Sequence, residues 1–171
     1  VQQVSDQDTQ ELIEHVRRAA AVLVLIDPRV LATGRMGEAA DDDFGMVQAM
    51  RNVKPATYWE WLRRLGIDEV PDTDLPGAVA GELKTREQFV TQPIEPATAA
   101  FGQGFSLTPL KLLQLHAMLA NGGWLVSPHI TRGLRSGDDL APPPPASGVQ
   151  LIRPEIAKTV LNWMETVVQT G

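Results

Sequence analysis

The chain has 171 residues, of which 43% are hydrophobic and 21% are charged, a composition typical of a folded globular domain. Its formal net charge of −6 argues against nucleic acid or an anionic membrane surface as the main partner, because both require a positive protein face. The sequence contains no cysteine, which excludes disulfides, thiolate metal sites and a cysteine nucleophile.

The first forty residues contain one predicted helix and one predicted strand. Apolar residues spaced four apart favour a helix over 8–20. The apolar run 21–26 is typical of a buried strand, which the following Asp27-Pro28 would end. Residues 33–43 are small and then acidic, and they are predicted to form a loop.

Two helices and a long irregular segment are predicted for the middle of the chain. Apolar spacing favours a short helix over 44–52 and a better defined one over 55–65, in which Pro55 suits the first turn. Gly66 follows, at a position where helices commonly end in a left-handed residue. Residues 67–97 carry four prolines and scattered charges and are predicted to be mostly irregular.

The clearest predicted element is a helix over 108–121. Its first residue is a threonine that can cap it, and apolar side chains surround most of its circumference, which predicts burial. A strand over 124–126 that resumes at Ile130 is predicted next, followed by an extended loop over 136–148 with four consecutive prolines. A last helix is predicted over 154–168. Its apolar stripe consists of Ile156, Val160, Trp163 and Val167.

Neither the histidines nor the acidic residues form a recognisable metal site. His15, His116 and His129 are far apart in the sequence, and no His-Glu-x-x-His spacing is present. His116 and His129 are better explained as structural residues of a helix and of a strand-like run. The acidic run 41–43 could bind a hard cation, but it lacks the glycine-spaced loop and distal glutamate of a calcium site. Capping of the following helix explains it better, and we predict no metal site.

No serine has the neighbours that nucleophilic catalysis requires. None of the serines begins Ser-x-x-Lys or lies in Gly-x-Ser-x-Gly. Ser127 is two residues from His129, with Pro128 between them, but we do not predict a catalytic pair here. The run Gly102-Gln103-Gly104 lacks the lysine of a phosphate-binding loop. Taken alone, these residues predict a mainly helical α/β domain with no catalytic set and no cofactor.

The segment 97–130 resembles a known family. It runs through Phe101-Gly102-Gln103-Gly104, Thr108-Pro109-Leu110-Lys111-Leu112 and Ala120-Asn121-Gly122-Gly123. In this order and at this spacing, the segment is very similar to class B penicillin-binding proteins, the peptidoglycan D,D-transpeptidases, and especially to their division-type members.

Flanking segments extend the resemblance to about three quarters of the chain. Residues 44–47 together with 58–67 resemble a helix pair that follows the family's second motif. Residues 74–81 resemble the family segment Asp-Leu-Pro-Gly-Glu-x-x-Gly. Residues 152–168 resemble the helix that precedes the third motif. The resemblance implies an α/β (α+β) fold. More specifically, it implies a partial serine β-lactamase/transpeptidase-like fold, in which this chain supplies mainly the helical part and an incomplete antiparallel sheet. We expect 41–171 to be a partial transpeptidase domain. Residues 1–40 stay unassigned. Either 22–29, which faintly resembles the family's first strand, belongs to the domain, or the whole segment is foreign to the family.

The resemblance implies serine acyl transfer, but this chain departs from the pattern. In the family, a serine in Ser-x-x-Lys attacks the D-Ala–D-Ala carbonyl of a stem peptide, a Ser-x-Asn motif assists the lysine, and Lys-Thr-Gly helps to hold the substrate. None of these motifs occurs here. The second motif should fall on Asp41, Asp42 and Asp43, whose ionised carboxylates cannot donate hydrogen bonds and would repel an oxyanion. We therefore assign no catalytic residue, and the substrate-binding residues are unknown.

The predicted function is that of a fragment of a peptidoglycan transpeptidase, inactive as it stands. The implied partners are stem peptides and β-lactams, and the implied location is outside the cytoplasmic membrane on an anchor, although no run here reaches the ~20 apolar residues of a membrane span. We expect a fragment because the chain starts without Met. The alternative is a non-catalytic helical module that binds a protein partner or a glycan strand.

Overall fold

The computed structural model describes residues 47, 50, 51, 53–136, 139–141 and 147–170. The predicted helix over 8–20, the predicted strand over 21–26 and the acidic run 41–43 lie outside these residues. In chain order the elements are α1 (Pro55–Arg64), β1 (Glu82–Leu83), α2 (Arg86–Thr91), α3 (Ile94–Ala100), β2 (Phe105–Ser106), α4 (Pro109–Ala120), β3 (Trp124–Val126), β4 (Leu134–Ser136), β5 (Asp139–Ala141), β6 (Gly148–Gln150) and α5 (Pro154–Thr170).

The described strands form three separate two-stranded antiparallel sheets, in which β1 pairs with β2, β3 with β6 and β4 with β5. The β3–β6 pair places Leu125 opposite Val149 and Val126 opposite Gly148. Helix α4 packs against both β3 and α5, and α1 packs against α2. None of the helices in the described ranges is long and apolar enough to cross a membrane.

The helices predicted over 55–65, 108–121 and 154–168 are confirmed as α1, α4 and α5. Helix α1 begins at Pro55, and Gly66 after it has a φ of 69°, in the left-handed region that ends many helices. Helix α4 is capped by Thr108, whose Oγ1 accepts a hydrogen bond from the backbone N–H of Lys111 at 3.1 Å. Val47 and Met50, the described residues of the helix predicted over 44–52, are helical.

The prediction that 67–97 is mostly irregular was wrong for its second half, which contains β1, α2 and most of α3. Helix α2 starts with a capping box: Thr85 Oγ1 accepts from the backbone N–H of Gln88, and Gln88 Oε1 accepts from the backbone N–H of Thr85. The helix then buries Phe89 completely. The prolines misled the prediction because Pro93 and Pro96 lie at the start of α3, where proline is tolerated.

Three smaller predictions also need correction. Leu113 on α4 is 60% exposed, so the helix is buried on one side and not all round. Ile130 lies outside β3, because its backbone N–H donates to the carboxylate of Asp74 and not to a neighbouring strand. Strand β5 lies inside the segment predicted to be a loop, where it pairs with β4 through the register Leu134 to Ala141.

One hydrophobic core joins the described helices. Its fully buried larger side chains come from α1, the turn after it, α2, α4 and α5, and they are Leu62, Leu65, Ile67, Phe89, Leu115, Met118 and Val160. Ile156 and Val160 of the predicted apolar stripe on α5 are buried as expected. The core therefore lies between the helices, and the short strand pairs lie around it.

Candidate functional site

Met50 and Val53, which follow the acidic run 41–43 in the chain, are anchored in the core. Met50 and Val53 are each only 6% exposed, and the N–H of Val53 donates to the carbonyl of Met50 at 2.9 Å. Together with Pro93 and Pro96 at the start of α3, they line an apolar cavity of about 360 Å³. Met50 and Val53 therefore hold the chain in the core a few residues after 41–43.

The histidines have structural environments where they are described. Nδ1 of His116 lies 2.9 Å from the carbonyl oxygen of Leu112, one turn earlier in α4, which fits the predicted structural role. Nδ1 of His129 lies 4.0 Å from Oδ1 of Asp74. His15 lies outside the described residues. Within the described ranges, no group of three histidine, aspartate or glutamate side chains is close enough to hold a metal ion.

Ser127 is directed at a carboxylate and not at His129. Its Oγ donates to Oδ2 of Asp72 at 3.1 Å and lies 3.0 Å from Oγ of Ser147. The hydroxyl of Ser106 is also engaged in a hydrogen bond, because its Oγ accepts from the backbone N–H of Glu82 at 3.0 Å. Neither hydroxyl has a histidine or lysine beside it among the described hydrogen bonds, so neither is activated as a nucleophile.

Lys111 is a buried amine that the sequence analysis did not single out. The residue is 3% exposed, and its Nζ donates to Oε1 of Gln114 at 2.8 Å. Gln114 Nε2 in turn donates to the carbonyl oxygen of Val126 at 2.7 Å. Burial lowers the pKa of Lys111, while the nearby Glu69 raises it. Because the acceptor of the amine is an amide oxygen and not a hydroxyl, this network ties α4 to β3 and activates no nucleophile.

A polar clasp joins three segments that are distant in sequence. We use this name for Asp72, Asp74, Ser127 and Ser147 together with the backbone N–H groups of 130 and 131. Asp74 accepts from both N–H groups at 2.8 Å, and Asp72 accepts from Ser127. Hydrogen bonds from Thr131 and Ile130 stabilise the ionised carboxyl and lower the pKa of Asp74 to about 2. The clasp therefore holds the loop after α1 against the chain that leaves β3.

Asp74→Asn is expected to lower stability at neutral pH and to weaken the acid dependence of unfolding. The folded pKa of Asp74, about 2, lies below its ordinary value of 3.8, so the contribution of this carboxylate is complete above the ordinary pKa and is lost as the pH falls through the folded value. Urea unfolding midpoints measured from neutral to acidic pH test this. Glu60→Gln, at a weak exposed ion pair with Arg86, is the control and should change little. An unchanged acid dependence in Asp74→Asn would assign the effect to another carboxyl.

A shallow groove of about 530 Å³ lies along the β1–β2 pair and the start of α2. Its lining mixes charged, hydroxyl and apolar groups, and includes Asp68, Lys84, Gln88, Phe105 and Ser106. The described part of the site thus offers hydrogen-bonding surface and apolar support. It brings no nucleophile together with a base.

The comparisons with known proteins agree with this architecture. The model of the penicillin binding protein transpeptidase domain family matches residues 35–171, and the chain belongs to this family. The relatives that it matches include FtsI-type transpeptidases and PbpB, which supports the resemblance to division-type class B penicillin-binding proteins. The fold class predicted from the sequence, part of a transpeptidase-like α/β fold, is confirmed.

Two relatives and one solved structure illustrate the similarity. The chain is 44% identical over 99 residues to a peptidoglycan D,D-transpeptidase FtsI homolog of Chlorokybus atmophyticus, covering 56% of this chain and 15% of that protein. It is 28% identical over 138 residues to the penicillin-binding protein PbpB of Mycolicibacterium smegmatis, covering 80% of this chain and 21% of that protein. Penicillin binding protein 3 of Mycobacterium tuberculosis, complexed with ampicillin, superimposes with a TM-score of 0.70 at 26% identity, over 77% of this chain and 29% of that chain. The chain thus spans about a fifth or less of these two curated relatives.

Proposed function

We propose that the chain supplies the helical part of a peptidoglycan D,D-transpeptidase domain that acts on stem peptides outside the cytoplasmic membrane and is acylated by β-lactams. The observation that carries the proposal is the continuous unit that runs from α3 through Gly102-Gln103-Gly104 and α4 to β3. This unit coincides with the segment 97–130, whose order and spacing resemble the family, and it lies inside the family match. The ampicillin complex of a neighbour supports the β-lactam part of the proposal.

We further propose that residues 1–171 alone do not form an acyl-enzyme. The sequence contains neither Ser-x-x-Lys nor Lys-Thr-Gly, and from the family resemblance we place the second motif on Asp41–Asp43. Loss of the nucleophile alone costs on the order of 10⁶ in turnover in a serine hydrolase, so no scaffold can compensate for it. Full chain incubated with a fluorescent penicillin should carry no covalent label on a denaturing gel.

A pair of chimeras tests the scaffold and the acidic run separately. In the first chimera, residues 44–170 replace the matching segment of the PbpB transpeptidase domain, which keeps its own three motifs. In the second chimera the replacement starts at 41, so that Asp41–Asp43 displaces the second motif. We expect the first to be labelled by fluorescent penicillin and the second to lose most of its labelling, because carboxylates cannot donate to the developing oxyanion.

The chimeras also distinguish the alternative function. A first chimera that is folded, as judged by circular dichroism and protease resistance, but is not labelled would favour a non-catalytic binding module. Equal labelling of the two chimeras would contradict the expectation that carboxylates at the second-motif position suppress acylation.

A further inference from the structure

Asn121 and Gly122 form the joint between α4 and β3. An Asn-Gly pair can lose the asparagine side-chain amide as ammonia through a cyclic imide. The backbone nitrogen of the residue after an asparagine can attack the side-chain carbonyl carbon, and glycine, which has no Cβ, obstructs the attack least. The bond from Gly122 N to Asn121 Cγ forms, and the bond from Cγ to Nδ2 breaks. Nδ2 leaves as ammonia, which takes up the Gly122 amide proton. Water then opens the cyclic imide to aspartate or isoaspartate, with no other reactant required.

The fold holds this reactive pair in an unreactive arrangement. Asn121 Nδ2 donates to the carbonyl oxygen of Trp124 at 2.9 Å, and the Trp124 N–H donates to Asn121 Oδ1 at 2.9 Å. The N–H of Gly122 is directed at the carbonyl oxygen of Leu119 at 3.5 Å. Asn121 is nevertheless exposed, so water reaches it. The side chain cannot turn its Cγ toward the Gly122 nitrogen without breaking both hydrogen bonds to Trp124.

We infer that Asn121 is a hydrolytic modification site gated by the α4–β3 joint. The asparagine persists while the joint is closed and converts when β3 separates from α4. The product then opposes closure, since a carboxylate cannot donate to the Trp124 carbonyl and its charge lies at the negative end of α4. Isoaspartate also lengthens the backbone at this point. Conversion therefore marks chains that have opened, and it is irreversible.

The proposed control of Asn121 by the α4–β3 joint is tested by comparing the rate of its conversion in the folded and the unfolded full chain. The chain is incubated in buffer and in urea at the same mildly alkaline pH, and Asn121 is followed by peptide mapping with mass spectrometry. We expect conversion in urea and a rate in buffer that is lower by on the order of tenfold or more, since the reaction must wait for local opening. Asn162, followed by the bulky Trp163, is the internal control and should convert slowly in both. Equal rates for Asn121 in buffer and urea, or no conversion in urea, would overturn the inference.

The effect of the product is tested with Asn121→Asp. This variant should unfold at a lower urea concentration than the original chain, and purified chain converted at Asn121 should do the same. A midpoint equal to that of the unconverted chain in both samples would show that the modification does not oppose closure of the joint.

Discussion

Gly123→Ala is expected to lower the free energy of unfolding by about 2–6 kcal/mol, as the sum of backbone strain of about 1–3 kcal/mol and overpacking of about 1–3 kcal/mol. A Cβ on Gly123 would lie 2.0 Å from the carbonyl oxygen of Ile152 and 2.8 Å from its carbonyl carbon. The glycine also has a φ of 100°, which side chains rarely adopt. Neither problem can be relieved by moving a flexible side chain, because the contact is with backbone.

Gly122→Ala is the matched control for this prediction. Gly122 has a φ of 83°, but a Cβ there would meet only Cβ of Pro154 at 3.9 Å, an ordinary contact. Gly122→Ala should therefore lower the free energy of unfolding by the backbone strain alone, about 1–2 kcal/mol, which is within the usual range for such backbone conformations. Urea unfolding followed by circular dichroism measures both variants. Equal losses would show that the chain before α5 moves away from position 123 at no cost.

The reason for a glycine at 123 also explains part of the family pattern Ala-Asn-Gly-Gly. The carbonyl oxygen of Gly123 accepts from the N–H groups of Leu151 and Ile152 at 2.9 and 3.3 Å. Its own N–H donates to Met118 in α4 at 2.8 Å. The first glycine ends the helix, and the second lets the backbone of β3 approach the chain that leads into α5. Sequence reasoning predicted the helix end, but the close approach needs Ile152 as a partner, 29 residues away.

The sequence predicted elements whose cause is local. Helices α1 and α4 follow from apolar spacing, from a proline in the first turn and from a glycine after the last turn. Helix α2 was missed although its signal was also local: Thr85 followed three residues later by Gln88 is a capping-box pattern. Its few residues carry too little periodicity to outweigh the neighbouring prolines.

The polar contacts of the candidate site could not be predicted in the same way. Asp72 and Asp74 meet Ser127 and Ile130 across 55 and 56 residues, and local patterns contain no information about such pairs. Lys111 lies between two leucines in the predicted buried helix, which was a visible conflict between a charge and an apolar surface. Its resolution by Gln114 and the carbonyl of Val126 depends on the position of β3.

The place of Asp41–Asp43 came from the family resemblance alone. The segment is a good helix cap by residue type, and nothing in its own composition indicates a relation to an active site. It remains a proposal, which the chimeras described above test.

Phe89→Ala is expected to cost about 3–5 kcal/mol, the usual range for removal of a fully buried phenylalanine. Phe89 has no exposed surface and is the buried residue of the six-residue helix α2. Its ring meets the ring of Tyr58 on α1 edge to face, with centroids 5.4 Å apart and planes at 77°. A helix this short is not stable by itself, so loss of Phe89 should release α2 from α1 as well as leave a cavity.

Two further variants separate the ring contact from other effects. Val90→Ala, at a neighbour on the same helix that is 37% exposed, should change stability by about 0.5 kcal/mol or less. Tyr58→Phe keeps the ring and removes a buried hydroxyl that has no hydrogen-bond partner among the described residues, so it should not destabilise the protein. Urea unfolding gives the three free energies, and hydrogen exchange of the amides over 86–91 reports whether α2 has been released. A loss in Phe89→Ala no larger than in Val90→Ala, with those amides still protected, would mean that α2 is held by its cap and its backbone and not by the aromatic pair.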